Sequence, residues 1–288
     1  MKSFALLVSL GLLCLTERAR AEVSSIPALP TVSISTDNGR ATLSWTGGRS
    51  SYQLQRRVSF DEPWQNVGQP TTETHAEVPL TDRPTFFRVV ADYTARFEVL
   101  FDATWSPQTH RGAWPTGAHW SGPVGGVHNG KVHFWKEGET ASEGIRLMAE
   151  RGQQGTLAAE IQSAIPAGNA YFTVTASGLG SPAQRVITFP QATTRDFPLL
   201  TLCSMIAPSP DWFVGVAGLS LVGSDGEWIQ EQTVTLYGFD AGTDSGVNFS
   251  SPDLLTAPRG VVTRFTGYPA LIDGTIVPFG TFIVRRVE

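Results

Sequence analysis

An all-β chain of two antiparallel β-sandwich domains is what this sequence predicts, and three observations lead there. Short segments of alternating apolar and polar residues recur at regular spacing, the period of a half-buried strand. Turn formers are plentiful, with 29 glycines and 19 prolines among 288 residues. Only one stretch has helical composition. At roughly 100–200 residues per domain the length accommodates two domains.

The first residues read as an address. Lys2 supplies a positive start, residues 4–15 form an apolar run, and Ala19-Arg20-Ala21 places small residues at a cleavage site. The run is too short for a bilayer core, which needs about 20 apolar residues. Residues 1–21 are therefore expected to be a signal peptide, with the mature chain beginning at Glu22 outside the cytoplasm. Acylation at Cys14 is disfavoured by the bulky Leu13 before it. Cleavage leaves Cys203 without a disulfide partner; its apolar surroundings, residues 199–206, read as a buried strand.

Residues 31–35 alternate, and so do residues 41–45 after the turn Asp37-Asn38-Gly39. Segments 52–56, 75–79 and 85–90 continue the pattern, with a Pro63-Trp64 turn between the first two. The run Thr42-Leu43-Ser44-Trp45, Tyr52-Gln53-Leu54-Gln55-Arg56 and Phe86-Phe87-Arg88-Val89-Val90 resembles a fibronectin type III module over residues 26–93. Trp45, Tyr52, Leu54, Phe87 and Val89 are its expected core. The last strand of such a module is hard to find: either it is missing, or residues 96–100 supply it.

From residue 95 to the end the texture changes. Residues 143–152 and 156–162 are helical in composition, punctuated by Gly152 and Gly155. Strands are expected over 97–101, 171–177, 199–206, 212–221, 233–237, 260–266 and 281–287.

Four stretches of this second region stand out: Phe101-Asp102-Ala103-Thr104-Trp105-Ser106-Pro107, running on to Trp114 and Trp120; His133-Phe134-Trp135-Lys136-Glu137-Gly138; Met205-Ile206-Ala207-Pro208-Ser209-Pro210-Asp211-Trp212; and Asp240-Ala241-Gly242-Thr243-Asp244-Ser245-Gly246. They resemble the signatures of the spondin domain of matrix proteins, assigned here to residues 95–288. The resemblance implies an antiparallel sandwich, topologically like calcium-dependent phospholipid-binding modules, and a role in adhesion to a cell-surface or matrix protein or glycan. It also implies one Ca²⁺ held by Asp211, Asp240 and Asp244. Taken alone, an Asp-x-x-x-Asp loop more often makes Asx turns than a metal site. Hard carboxylate and carbonyl oxygens do suit Ca²⁺, and close carboxylates repel one another without a cation.

Other chemistries find less support. His110, His119, His128 and His133 lie in the same region, but no His-Glu-x-x-His or cysteine pair completes a zinc site, so hydrogen-bonded histidines are expected. Trp105, Trp114, Trp120 and Trp135 are expected to fill the sandwich and its ends. No nucleophile elbow, P-loop or dinucleotide fingerprint is present, so no catalytic residue is assigned. The competing readings are a secreted hydrolase using the acidic loop as a metal centre, and a purely structural envelope protein. An open pocket at the carboxylates would favour the hydrolase, a closed cage the binding module. With a net charge of −5 and no basic block, nucleic acid is not an expected partner.

Overall fold

A computed structural model describes residues 29–287. The expected signal peptide lies outside the described residues.

Six strands come first: β1 (Thr31–Asp37), β2 (Arg40–Thr46), β3 (Tyr52–Arg57), β4 (Gln65–Asn66), β5 (His75–Pro79) and β6 (Phe86–Ala91). They form two three-stranded antiparallel sheets, ordered β1-β2-β5 and β4-β3-β6. The β1–β2 hairpin turns at Asn38 and Gly39, both at positive φ, as a two-residue turn requires. Alternation then sends Ala41, Leu43 and Trp45 of β2 inward against Tyr52 and Leu54 of β3, with Val78 closing the cluster. Phe87 and Val89, the other expected core residues, are only partly buried.

The strand that could have completed this unit goes elsewhere. β7 (Thr94–Ala95) and β8 (Phe97–Ala103) leave it, β7 pairing with β14 (Thr193–Thr194). β8 buries Phe97, Val99 and Phe101 among Phe282 and Val284 of the larger core, a far better apolar contact than a small sandwich offers. The junction is pinned by polar contacts. Asp92, at positive φ, receives both Nη groups of Arg286 at 2.6 and 3.1 Å, while Trp228 Nε1 donates to its carbonyl at 2.8 Å. Tyr93 Oη donates to Asp196 at 2.5 Å, and Asn66 donates to both.

The remaining elements are β9 (His119–Trp120), β10 (Val124–His128), α1 (Glu143–Arg151), α2 (Gly155–Ser163), β11 (Ala170–Thr175), β12 (Leu179–Gly180), β13 (Ala183–Thr188), β15 (Leu199–Ala207), β16 (Trp212–Ser220), β17 (Glu231–Leu236), β18 (Gly238–Asp240), β19 (Thr263–Arg264), β20 (Leu271–Ile272), β21 (Thr275–Ile276) and β22 (Gly280–Arg286). A four-stranded sheet, β13-β8-β22-β17, faces a larger one running β11-β10-β15-β16-β18-β19. The two covered faces of β15 explain its mostly apolar sequence. Leu200, Leu202 and Ile206 enter the core between the sheets, while Cys203, Met205 and Ala207 enter a second core under the helices. A strand covered on both faces favours apolar residues throughout, and its two polar ones are hydrogen-bonded, Thr201 Oγ1 with His128 Nε2 and Ser204 Oγ to the Ser121 carbonyl. Cys203 is free and fully buried, and burial raises its thiol pKa far above the ordinary value.

Both helices pack on that outer face. Ser142 caps α1 by accepting from Ile145 N at 3.2 Å, and Gly152 ends it at positive φ with its N–H on Met148. Ile145, Met148, Leu157 and Ile161 are the apolar seam. Gly144 lets the helices approach, since a Cβ there would lie 2.6 Å from Leu157 Cα.

Two strand expectations are corrected. The extended stretch over 260–266 shrinks to β19, because its main chain bonds sideways to separate loops: Gly260 N to Gly242 O, and Val262 N to Glu139 O. β10 is not among the expected strands; its Gly125 and Gly126 allow β15 and α2 to close on it.

Candidate metal centre

Asp211, Asp240 and Asp244 come to one end of the larger sandwich. Asp211 sits at the turn from β15 to β16, after the rigid Pro208-Ser209-Pro210, and Ser209 Oγ accepts from Trp212 N at 3.1 Å. Asp240 ends β18, directly opposite Trp212 in the sheet, and Asp244 follows four residues later. Sheet pairing therefore joins two segments some thirty positions apart in sequence.

Each carboxylate has main-chain donors. Asp211 Oδ2 accepts from Thr243 N at 2.6 Å, Asp244 N at 3.0 Å and Thr243 Oγ1 at 3.2 Å. Asp240 Oδ1 accepts from Gly242 N at 2.7 Å. Asp244 accepts from Gly246 N at 2.7 Å and, on its other oxygen, from Leu254 N at 2.8 Å. Gly242 is obligatory: φ is +72°, and a Cβ would stand 2.8 Å from the Gly260 carbonyl carbon.

One atom is left over. Asp211 is fully buried, and its Oδ1 has no hydrogen-bond partner among the described residues. Burial first, and then the neighbouring Asp240, push the Asp211 carboxyl up to about 7, against the opposing pull of the Thr243 and Asp244 N–H groups. Asp240 is also raised, chiefly by burial. Its side opens onto a cleft of about 340 Å³ beside Trp212, Val247, Arg264 and Tyr268. Among the described residues, no three His, Cys, Asp or Glu side chains are gathered into a ready-made metal cluster. The three acids thus share a corner, with their oxygens turned mainly to the loop's own N–H groups.

Thr243 is the residue that sequence reasoning missed. It clamps the Asp211 carboxylate twice, but as one threonine in a polar loop it gave no pattern to detect.

His119, His128 and His133 are hydrogen-bonded, as expected, whereas the buried His110 leaves its Nε2 without a partner among the described residues. His119 Nδ1 pairs with the Gly117 carbonyl, His128 Nε2 with Thr201 Oγ1, and His133 with Glu139. His110 is buried against Phe279, with Nδ1 on Thr109 Oγ1 at 3.0 Å. Burial lowers its pKa to about 4. The folded chain keeps His110 neutral while the unfolded chain protonates near 6.5, so its contribution is complete above that value and lost progressively from there down to 4. Urea unfolding at pH 7 and pH 5 is expected to show wild type losing about 2 kcal/mol more than His110→Gln. Asp211 works in the opposite sense, hence the comparison with a variant; equal losses would mean that His110 ionises freely.

Trp105, Trp120 and Trp135 are buried, and Trp114 packs half-buried on Trp105 at 5.0 Å.

An antiparallel sandwich with helices on one outer face and acidic loops at one end is the class of module that these elements define. The Spondin_N family profile matches residues 95–270, and the chain belongs to the spondin N-terminal domain family. Spondin-2 of Rattus norvegicus is 35% identical over 180 residues, covering 60% of this chain and 53% of that protein. Spondin-2 of Homo sapiens is 34% identical over the same length. Spondin-1 of Mus musculus is 31% identical over 224 residues, covering 74% of this chain and 27% of that protein. The chain therefore spans about half the length of the spondin-2 relatives it matches and about a quarter of the spondin-1 relative. The family is one of secreted matrix and adhesion proteins, and this chain is a secreted member of it. No described helix is long and apolar enough to cross a membrane.

Proposed function

We propose that the chain is a divalent-cation-binding adhesion module that recognises a cell-surface or matrix protein or glycan, with Ca²⁺ held by Asp211, Asp240 and Asp244. The observation that carries this reading is Asp211 Oδ1. A buried carboxylate oxygen with no donor costs free energy that a cation would recover. The donor set suits the ion: carboxylates and loop carbonyls are hard oxygens, and a carboxylate oxygen that accepts one N–H keeps a lone pair for a metal. Bound there, Ca²⁺ would neutralise the crowded acids, while Thr243 and the N–H groups of residues 242, 244, 246 and 254 keep them oriented. A hydrolytic centre is less well supported, because of the three acids only Asp240 lines the open cleft, while Asp211 is fully buried. The two-domain division near residues 93–95, with a fibronectin type III-like unit in front, belongs to the same proposal.

Thermal unfolding with Ca²⁺ and with chelator tests the site. At a free concentration 100 times Kd, binding adds about 2.7 kcal/mol, or a rise in Tm of about 5–10 °C for a domain of this size. Asp240→Asn is expected to remove most of the rise without unfolding the cation-free chain. Asp225→Asn, on a glycine-rich turn remote in sequence from the acidic loop, is expected to keep it. The assignment fails if Asp225→Asn loses the shift while Asp240→Asn retains it.

A further inference from the structure

We propose that the β6 edge of the first unit accepts an extended strand from another protein, one with apolar residues on its inner side and acidic residues on its outer side. An immunoglobulin-like sandwich of the constant type has seven strands. This unit has six, and the gap falls at the free edge of β6, which pairs only with β3 among the described residues.

The register identifies the open groups. Tyr52 and Leu54 of β3 direct their main-chain groups away from β6, toward Thr71 and Val67. Their partners opposite, Ala91 and Val89, therefore turn N–H and C=O to the open edge, and the two-residue period adds Phe87. An exposed row of donors and acceptors is the template that strand addition completes.

The interior on that side is uncovered as well. Val32 and Ile34 of β1 stand opposite the buried Trp45 and Leu43, on the inward face, yet are 37% and 56% exposed. Phe87, Val89 and Ala91 face the same core and remain half-buried. A cavity of about 290 Å³ runs past Val89, Val90 and Ala91, with Leu29 and Pro30 on its wall and the charged Arg49, Asp92, Arg195 and Glu227 also lining it. The chain's own continuation cannot fill it, because Asp92 is held by Arg286 and β7 and β8 are committed to other sheets.

Charge defines the occupant's outer face. Arg57 lies over Phe60 and one face of Trp64, at 4.5 and 4.4 Å, and Arg88 of β6 lies over Trp64 at 4.6 Å. The Arg57 charge beside it helps to lower the pKa of Arg88, after burial. Arg56, Arg57 and Arg88 form no ion pair among the described residues. Phe60 and Phe86 pack together beside them, both exposed. Arg88 Nε donates to Gln55 Oε1 at 2.8 Å, and the Asp196 charge opposes the lowering of its pKa. It is therefore Arg56, Arg57 and the remaining N–H groups of Arg88 that call for carboxylates on the outer face, while the apolar groove calls for aliphatic side chains. The segment just before Leu29, Glu22-Val23-Ser24-Ser25-Ile26-Pro27-Ala28, lacks that pattern: Val23 and Ile26 differ in parity, and Pro27 has no N–H.

The test titrates the full mature chain into a fluorescein-labelled, end-capped decapeptide alternating valine and glutamate, read by anisotropy. Saturable binding is expected, at least tenfold weaker for Arg88→Glu and for Arg88→Gln. It is also expected to be at least tenfold weaker for a peptide with two alternate valines replaced by proline. Equal binding of the proline peptide overturns strand addition, and so does no saturation up to about 1 mM of the chain. If the mature chain dimerises through this edge, a second copy is the occupant and the proposal falls. It falls likewise if binding arises only after deletion of residues 22–28.

Discussion

Asp92→Ala is expected to lower stability by about 3–5 kcal/mol, the range for removing one partner of a buried ion pair. Arg286 and Arg195 would be left with their guanidiniums 13% and 20% exposed around an empty position, Arg286 having lost both of its hydrogen bonds to the carboxylate. The loss has a second source: Asp92 lies at φ +48°, where aspartate and asparagine are tolerated better than alanine. Asp92→Asn separates the two, keeping the backbone preference while removing the charge. Urea unfolding followed by tryptophan fluorescence suits the measurement, because Trp228 donates its indole N–H to the Asp92 carbonyl. A loss below about 1 kcal/mol for Asp92→Ala would mean that the junction contributes little and that the units are held otherwise.

Trp105→Ala is expected to cost about 3–5 kcal/mol, as large aromatic truncations in cores do. Its ring meets Trp114, Trp120, Phe249 and Phe279 at centroid distances of 5.0–5.8 Å. Phe249 also packs on Trp212, the residue after Asp211, so the cavity would open beneath the acidic corner. Calorimetry of Trp105→Ala is therefore expected to show a lower Tm and, at the proposed Ca²⁺ site, a weaker calcium shift. An unchanged Tm would refute the structural role of this tryptophan.

Strand periodicity, the capped helix at residues 143–151 and the burial of Cys203 were legible in the sequence, because each depends on neighbours within one element. The acids Asp211, Asp240 and Asp244 were marked only by the resemblance of their stretches, since the spacing taken alone reads as Asx turns. The path of the chain after Val90 was not legible. Residues 96–100 alternate equally well for either sandwich, and the larger apolar partner surface of Phe282 and Val284 decided between them. Local pattern determined that the regular elements of the chain would be almost entirely antiparallel strands. Only the tertiary structure decided that Asp211 Oδ1 would be sealed without a donor and that β6 would keep a free edge. Both are consequences of what packs across the fold, and period-two alternation carries no record of which strand becomes the neighbour.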